Sequence, residues 1–511
     1  MDRETLRGAL AGRIEPVPVT RAYRLGLLAV AAMTVLLPVV YLGVIALAAW
    51  GVYRHAVGNA WILRGSGGVL GKVLVYFGPI VAGGVVVFFL LKPLLARPSL
   101  RRSDVEIGAA DQPLLFELLA GVCRMVGAPM PTRVTVDCQV NAAASFRRGL
   151  ASLLGRDLQL TLGLPLVAGL ELRQLAGVLA HEMGHFAQGS GMRLTYLVRS
   201  VNGWLARVVY ERDQWDQKLE HLSRHSDFRV ALVLWVARFG VWLSRKLLWL
   251  LMTAGHAIGS LMLRQMEYDA DRYEARLAGS QVFATTALRM RVLTVGRMKA
   301  IATLSAAYAE RRLADDFPAL VASAAERLPD EVRRQLESPE AFGQREGVFD
   351  THPPDQARIE SAERERAPGL FRLEGPAQVM LPDGGALARR ATESFYRSEQ
   401  DIELAAVALV PTPEIVAREV AQQENEGARQ RYFGDLVSAA RPLALGAALP
   451  PTAAAEAIGA LRDARAALEE LRAPAGEAAA RLFTAHASLV SARGAGALLA
   501  AGFRVDPAGS G

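Results

Sequence analysis

The stretch VLAHEMGHFAQ, residues 178–188, decides how the chain is interpreted, because it places His181 and His185 four positions apart with Glu182 beside the first histidine. On an α-helix, residues four apart lie on one face, so both imidazoles can converge on one metal ion. With eight histidines and 51 acidic residues in 511, the pattern is expected by chance roughly 0.01 times. The stretch therefore predicts a metal site, and a buried helix with hydrogen-bonded histidines is the alternative.

The residue types of this stretch suit a hydrolytic zinc site. Neutral imidazole binds zinc well, and a catalytic site keeps one coordination position for water. The carboxylate of Glu182 lies one residue on and can reach that water without binding the metal. It can accept a proton as the water attacks a carbonyl carbon and pass it to the leaving amine. Glu182 is therefore the predicted catalytic base.

A third ligand is expected from the stretch RQMEYDADRYEARLAG, residues 264–279, where Glu267 and Asp271 are four apart on a predicted helix. Glu267 would complete the two-histidine, one-glutamate set of hydrolytic zinc sites. Asp271 is placed to orient a ligating histidine, as carboxylates around metal sites do. A solvated acidic helix face is the alternative for this stretch alone. Together the two stretches predict one Zn²⁺ per chain.

Two long uncharged runs predict transmembrane helices within residues 25–95. The first, Leu25–Tyr53, follows a basic segment at residues 1–24, and the second is Val73–Leu91. The mean hydropathy of +0.20 fits such segments diluted by globular sequence. We expect an uncleaved signal anchor, with cleavage at a short stretch of small residues as the alternative. The basic residues outside the runs favour the cytoplasm for both flanks. The expected location is a bacterial inner membrane, with the catalytic domain facing the cytoplasm.

A third apolar region, residues 230–263, lies between the two metal-binding stretches. Because His181 and Glu267 are expected to bind one ion, the chain between them must cross the membrane an even number of times. Each half of the region is shorter than the roughly 20 residues of a full span. We therefore predict a membrane-associated helical hairpin that turns near Ser244–Lys246, embedded in the membrane or crossing it twice. A buried amphipathic hairpin of the catalytic domain is the alternative.

The rest of the chain predicts an α+β fold that is mostly α. Strand-like alternation is present in RVTVDCQVNAAASF, residues 133–146, and in DLQLTLGL, residues 157–164. Residues 100–365 are expected to form the catalytic domain, and residues 366–511 an Ala-rich helical accessory region. That region could bind a second copy of the chain or another membrane protein. Two cysteines make no disulfide framework, and a net charge of +7 without an aromatic-interleaved basic block argues against nucleic acid as a partner.

Four motifs in order carry a family resemblance, and they cover roughly residues 100–365. NAAAS, LAHEMGH, EYDADRYEA and THPPDQARI resemble the integral-membrane zinc endopeptidases typified by HtpX and the CAAX prenyl proteases, family forty-eight of the metallopeptidases. The resemblance implies that His181, His185 and Glu267 bind zinc, that Glu182 is catalytic and that Asp271 supports the site. The long C-terminal region has no counterpart in the short bacterial quality-control members, and the small number of spans departs from the CAAX enzymes.

The resemblance also implies roles for four further residues. Asn141 and Ala142 match the family's edge strand beside the cleft, where an extended substrate can add as a strand. A turn-closing asparagine is the alternative for Asn141. His352 matches a histidine that faces the active site and could donate a hydrogen bond to the developing oxyanion. Arg358 is expected to bind a substrate carboxylate in the same region.

Together these features predict a membrane-bound zinc endopeptidase. The expected substrates are unfolded, damaged or membrane-associated proteins, and the expected surroundings are a lipid bilayer. A non-catalytic zinc-containing scaffold and a CAAX-type processing protease are the alternatives. Glu182 favours catalysis over a scaffold, because hydrolysis requires a carboxylate there and a structural zinc site does not. A zinc transporter is disfavoured, because the two apolar runs contain no ionisable residue of the kind that ion pathways use.

Overall fold

The computed structural model describes residues 1–18, 21–65, 68–95, 104–146, 157–187, 190–210, 228–338 and 353–433, with parts of 456–489. The chain divides into two compact units, Met1–Thr412 and Pro413–Gly511. Residues 366–412 thus belong with the first unit, whereas the sequence predicts an accessory region from residue 366 onward.

The described part of the first unit is mostly helical with few strands, as predicted. Its helices are α1 (Arg3–Ala9), α2 (Arg21–Gly58), α3 (Val69–Leu95), α4 (Pro113–Val126), α5 (Leu164–Gly169), α6 (Leu172–Ala187), α7 (Ser190–Tyr210), α8 (Phe228–Ala278), α9 (Ser280–Tyr308), α10 (Phe317–Glu326), α11 (Asp330–Glu337), α12 (Asp355–Arg364) and α13 (Gly384–Ser398). Its strands are β1 (Val105–Ile107), β2 (Arg133–Asp137), β3 (Ala142–Phe146), β4 (Leu158–Gly163), β5 (Arg312–Ala314) and β6 (Ala408–Val410), and α14 (Thr412–Phe433) leads into the second unit.

The helices α2 and α3 have the length and composition of membrane spans. The stretches Tyr23–Arg64 and Val69–Leu94 are both long and apolar enough to cross a bilayer. Large apolar side chains on both helices are exposed, which suits lipid far better than water; examples are Leu25, Trp50, Leu70 and Phe88. Both predicted apolar helices are present in the structure, and the chain is a membrane protein.

Residues 230–263 do not form the predicted hairpin. They belong to the single helix α8, which passes through Ser244–Lys246 without a turn and bends by 49° between Trp242–Ala257 and Met262–Ala278. The chain instead leaves α6 along α7 and returns along α8, and both pack with α2 and α3 around one apolar cluster. The helix α7 was not predicted as the partner of this region, because its three arginines lower its mean hydropathy.

A four-stranded sheet supports the catalytic region, with strand order β1–β2–β4–β3. The pairing of β2 with β4 is parallel, and the other two pairings are antiparallel. Its core includes Val134, Val136, Leu160 and Leu162, which are all buried. In this order β3 is an edge strand of the described sheet, so one side of its backbone is available to other partners.

The N-terminal segment packs on the catalytic region. Leu6, Leu10 and Ile14 are buried, and the Ile14 amide donates to the carbonyl of Met125 near the end of α4. The segment leads directly toward α2. Residues 1–18 and the catalytic region therefore lie on the same side of the membrane, as two crossings by α2 and α3 require.

This arrangement predicts a labelling pattern in sealed membrane vesicles. Single cysteines would replace Glu4, Glu171 and Arg64, all exposed, in a variant whose buried Cys123 and Cys138 are alanine. A membrane-impermeant thiol reagent should reach positions 4 and 171 from one face and position 64 from the other. Labelling after detergent treatment is the control for reactivity, and opposite faces for positions 4 and 171 would refute the arrangement.

Candidate functional site

The helix α6 presents both histidines of the HEMGH stretch to the protein interior. His181 and His185 are 8% and 9% exposed, and their ring centroids are 4.9 Å apart. The start of α6 is fixed to the end of α8 by Arg173, which donates to the carbonyl of Ala278. The spacing of the two histidines thus places both imidazoles on one buried face of a helix that packs along α8.

The C-terminal part of α8 brings Glu267 to these histidines. Its carboxylate oxygens lie 3.6 Å from Nε2 of His181 and 3.7 Å from Nε2 of His185. Two ligands of a tetrahedral zinc ion, each bonded at about 2.0–2.2 Å, lie about 3.4 Å apart. The three donor groups therefore have the separation and the chemistry that zinc requires.

A charged pair supports the site from behind His181. Asp271 Oδ1 lies 3.0 Å from Nδ1 of His181, the ring nitrogen that does not face Glu267. Arg358 donates from Nε and Nη2 to the two oxygens of Asp271, at 3.0 and 2.6 Å. Burial raises the pKa of Asp271, but Arg358 and His181 outweigh it and hold the pKa of this carboxyl below its ordinary value. Asp271 is therefore ionised and can orient the imidazole.

Glu274 also belongs to this cluster, although it is not among the residues predicted from the sequence. Its Oε2 lies 3.8 Å from His181 Nδ1, and the residue is buried. Burial raises the pKa of Glu274 to about 7. The spacing of Glu267, Asp271 and Glu274 was the available signal, since positions i, i+4 and i+7 share one helix face. Buried carboxylates require cationic partners, which Arg358 and His181 provide here and which a metal ion at the same histidine would also provide.

Glu182 lies toward the edge strand β3 and not within the ligand group. Its Oε2 accepts a hydrogen bond of 3.1 Å from the backbone amide of Ala144. The Asn141 carbonyl accepts from the Gly163 amide, so the backbone groups of Ala142 and Ala144 face the outer edge of the sheet. The candidate catalytic base thus lies beside the outward-facing backbone of a strand, close to the exposed Asn141 that precedes it.

The structure gives Arg358 a different partner from the expected one and does not describe His352. The guanidinium of Arg358 is bound to Asp271, a carboxylate of the chain itself, and 21% of its side chain stays exposed. Its expected contact with a substrate carboxylate stays a prediction. Asp271 needs a buried cation because an isolated buried carboxylate is strongly unfavourable. His352 lies outside the described residues, and its predicted contact with the oxyanion stays a prediction.

Comparisons with known proteins identify the same region. The model of "Peptidase family M48" matches residues 112–366, about half of the chain. The Protease HtpX homolog of Chlorobium phaeobacteroides is 28% identical over 141 residues, which are 27% of this chain and 45% of that protein. Protease HtpX of Acinetobacter baylyi is 26% identical over 238 residues, which are 44% of this chain and 73% of that protein.

The match covers less than half the length of the first relative, and no solved structure matches the chain. Residues 112–366 contain the two histidines and Glu267, the Glu182 carboxylate and the Asp271–Arg358 pair. The chain is therefore an HtpX-like member of peptidase family M48.

Proposed function

We propose that the protein is a membrane-bound zinc endopeptidase that hydrolyses peptide bonds in protein or peptide substrates. The observation that carries the proposal is the group of His181, His185 and Glu267, whose ligand atoms all lie within 4.8 Å of one another on helices that also carry Glu182 and Asp271. One Zn²⁺ bound by these residues would polarise the substrate carbonyl and lower the pKa of a bound water.

The chain's own residues supply the rest of the mechanism. Glu182 accepts the proton of the attacking water and donates it to the leaving amine. Asp271 holds His181 in the tautomer that directs Nε2 toward Glu267, and Arg358 keeps Asp271 ionised. The outward-facing backbone of β3 can pair with an extended substrate, which then runs past Glu182.

This binding mode favours substrates that can supply an extended segment. Folded proteins have few unpaired strands, so unfolded, damaged or membrane-associated proteins are the proposed substrate class. The basic N-terminal segment packs against the catalytic region, so the positive-inside tendency applies to both together. We accordingly propose that the catalytic region faces the cytoplasm at a bacterial inner membrane.

Two alternative functions would require different features of the chain. A non-catalytic scaffold needs the metal ligands but not Glu182. A CAAX-type processing protease would resemble enzymes with many spans, whereas the described residues contain two helices that qualify as spans by length and composition, or three if the bent pair in α8 is one. Contact of the C-terminal region with a second copy or a membrane partner stays a separate proposal.

Metal binding should depend on each ligand. His185→Ala removes one of three donors, so the purified variant should lose most of the zinc that elemental analysis finds in the wild type. His486→Ala changes an exposed histidine of the second unit and should retain one zinc per chain. Stoichiometric zinc in His185→Ala would show that the ligand set is wrong.

Hydrolysis should depend on Glu182 while metal binding does not. Glu182→Gln can still accept a hydrogen bond from the Ala144 amide but cannot take a proton, so cleavage of a casein-like substrate should fall about 10²–10⁴-fold. Glu171→Gln makes the same change at an exposed position before α6 and should leave the rate unchanged. Near-wild-type cleavage by Glu182→Gln at full zinc content would eliminate the proposed mechanism.

The Arg358–Asp271 pair should affect zinc affinity and not the binding of a substrate carboxylate. Arg358→Gln leaves Asp271 buried without its cation, so zinc affinity should fall about 10–100-fold, as for other groups that orient metal ligands. Arg364→Gln, an exposed arginine on the same helix, is the control. Unchanged zinc affinity, with a raised KM only for substrates that carry a free carboxylate, would restore the role predicted from the sequence.

A further inference from the structure

A continuous series of contacts joins the N-terminal segment to the helix that carries both histidine ligands. The segment is fixed to α4 by Arg7, which donates to both oxygens of Glu117 at 2.8 and 2.9 Å, and by the buried Leu10. Leu10 fits against Gly121 of α4, where any Cβ would overlap the leucine side chain. The segment is therefore a packed part of the catalytic region.

The segment ends in a hydrogen bond to α8. The backbone amide of Val17 donates to the hydroxyl of Tyr273 at 3.2 Å, and both residues are buried. Nearby, Arg276 donates from Nη1 to the carbonyl of Glu15 at 2.9 Å. The N-terminal segment thus holds α8 at a point six residues, or about 9 Å of helix rise, beyond Glu267.

The ring of Tyr273 packs against α6 inside the metal-binding stretch. Gly184 immediately precedes His185, and a Cβ built there would lie 2.9 Å from Cδ2 and 3.2 Å from Cβ of Tyr273. The glycine therefore allows α6 and α8 to approach more closely than a larger residue would. Because one helix carries the two histidines and the other carries Glu267, the separation of the helices at this contact affects the separation of the ligands.

We propose that Tyr273, seated on Gly184 and held by the Val17 amide, is a positioning residue that sets the distance between the two ligand-bearing helices, so that the N-terminal segment influences zinc affinity. The inference rests on the proposed zinc site. Tyr273 and Val17 are not among the ligand residues, and their effect passes through the position of α8. Moving α8 away from α6 moves Glu267 away from the two imidazoles.

The first test adds one methyl group at the helix contact. Gly184→Ala should lower zinc affinity about 10–100-fold in competition with a chelator of known affinity, because α8 must move away from α6. Gly203→Ala makes the same change at a helical glycine of α7 whose Cβ would meet nothing within 4 Å, and it should leave zinc affinity unchanged. In a Tyr273→Leu background, Gly184→Ala should lower zinc affinity by a smaller factor, because the aromatic ring that the new methyl group contacts is absent.

The second test removes the single hydrogen bond from either end. Tyr273→Phe removes the accepting hydroxyl. Val17→Pro removes the donating amide, at a position whose following proline already favours an extended conformation. Each should lower zinc affinity about 3–10-fold, and the double variant should be no worse than either single variant. Val17→Ala keeps the amide and should behave as the wild type. These milder variants test the proposal even if Gly184→Ala does not fold.

The outcomes separate this inference from the proposed function. A wild type that binds no zinc refutes the function. A wild type that binds one zinc, with unchanged affinity in Gly184→Ala, Tyr273→Phe and Val17→Pro, refutes the positioning role alone. Thermal unfolding of the metal-free proteins measures how far each variant is destabilised in general. If this loss of stability accounts for the whole loss of zinc affinity, the inference is overturned.

Discussion

The packing of α6 against the C-terminal part of α8 is the contact on which the rest of the structure depends. It brings His181 and His185 from one helix to Glu267 from the other, with 3.6 and 3.7 Å between the carboxylate and the two Nε2 atoms. Neither helix can form the site alone. The close approach is possible because α6 presents a glycine, Gly184, to the ring of Tyr273.

Charge compensation is the second constraint on this site. Glu267, Asp271 and Glu274 lie on one buried face of α8, and burial raises the pKa of Glu274. Arg358 relieves one of the three through its two hydrogen bonds to Asp271. His181 lies beside the same carboxylates, and a metal ion held by His181, His185 and Glu267 would add positive charge to this cluster. Through Asp271 the arginine therefore contributes to the position of His181.

The membrane helices and the catalytic region are connected through the same element. The helix α8 packs with α2, α3 and α7 in its N-terminal part and carries Glu267 in its C-terminal part. Its partner α7 follows α6 in the chain, and α8 then brings Glu267 back to the two histidines. The N-terminal segment packs on the catalytic region as well, and it contacts α8 at Tyr273.

The sequence by itself determined the elements whose signals are local. The spacing of His181 and His185 follows from helix periodicity, and the uncharged runs of α2 and α3 follow from the thickness of a bilayer. The interpretation of residues 230–263 as a hairpin was wrong. These residues form part of the single helix α8, and its partner α7 has too low a mean hydropathy to be predicted because it contains three arginines. Which carboxylate Arg358 binds, and the presence of Glu274 beside the first histidine, were decided only by the tertiary structure. Each of these contacts joins residues far apart in the chain, and no local pattern of residue types specifies which distant partner a buried charge will meet.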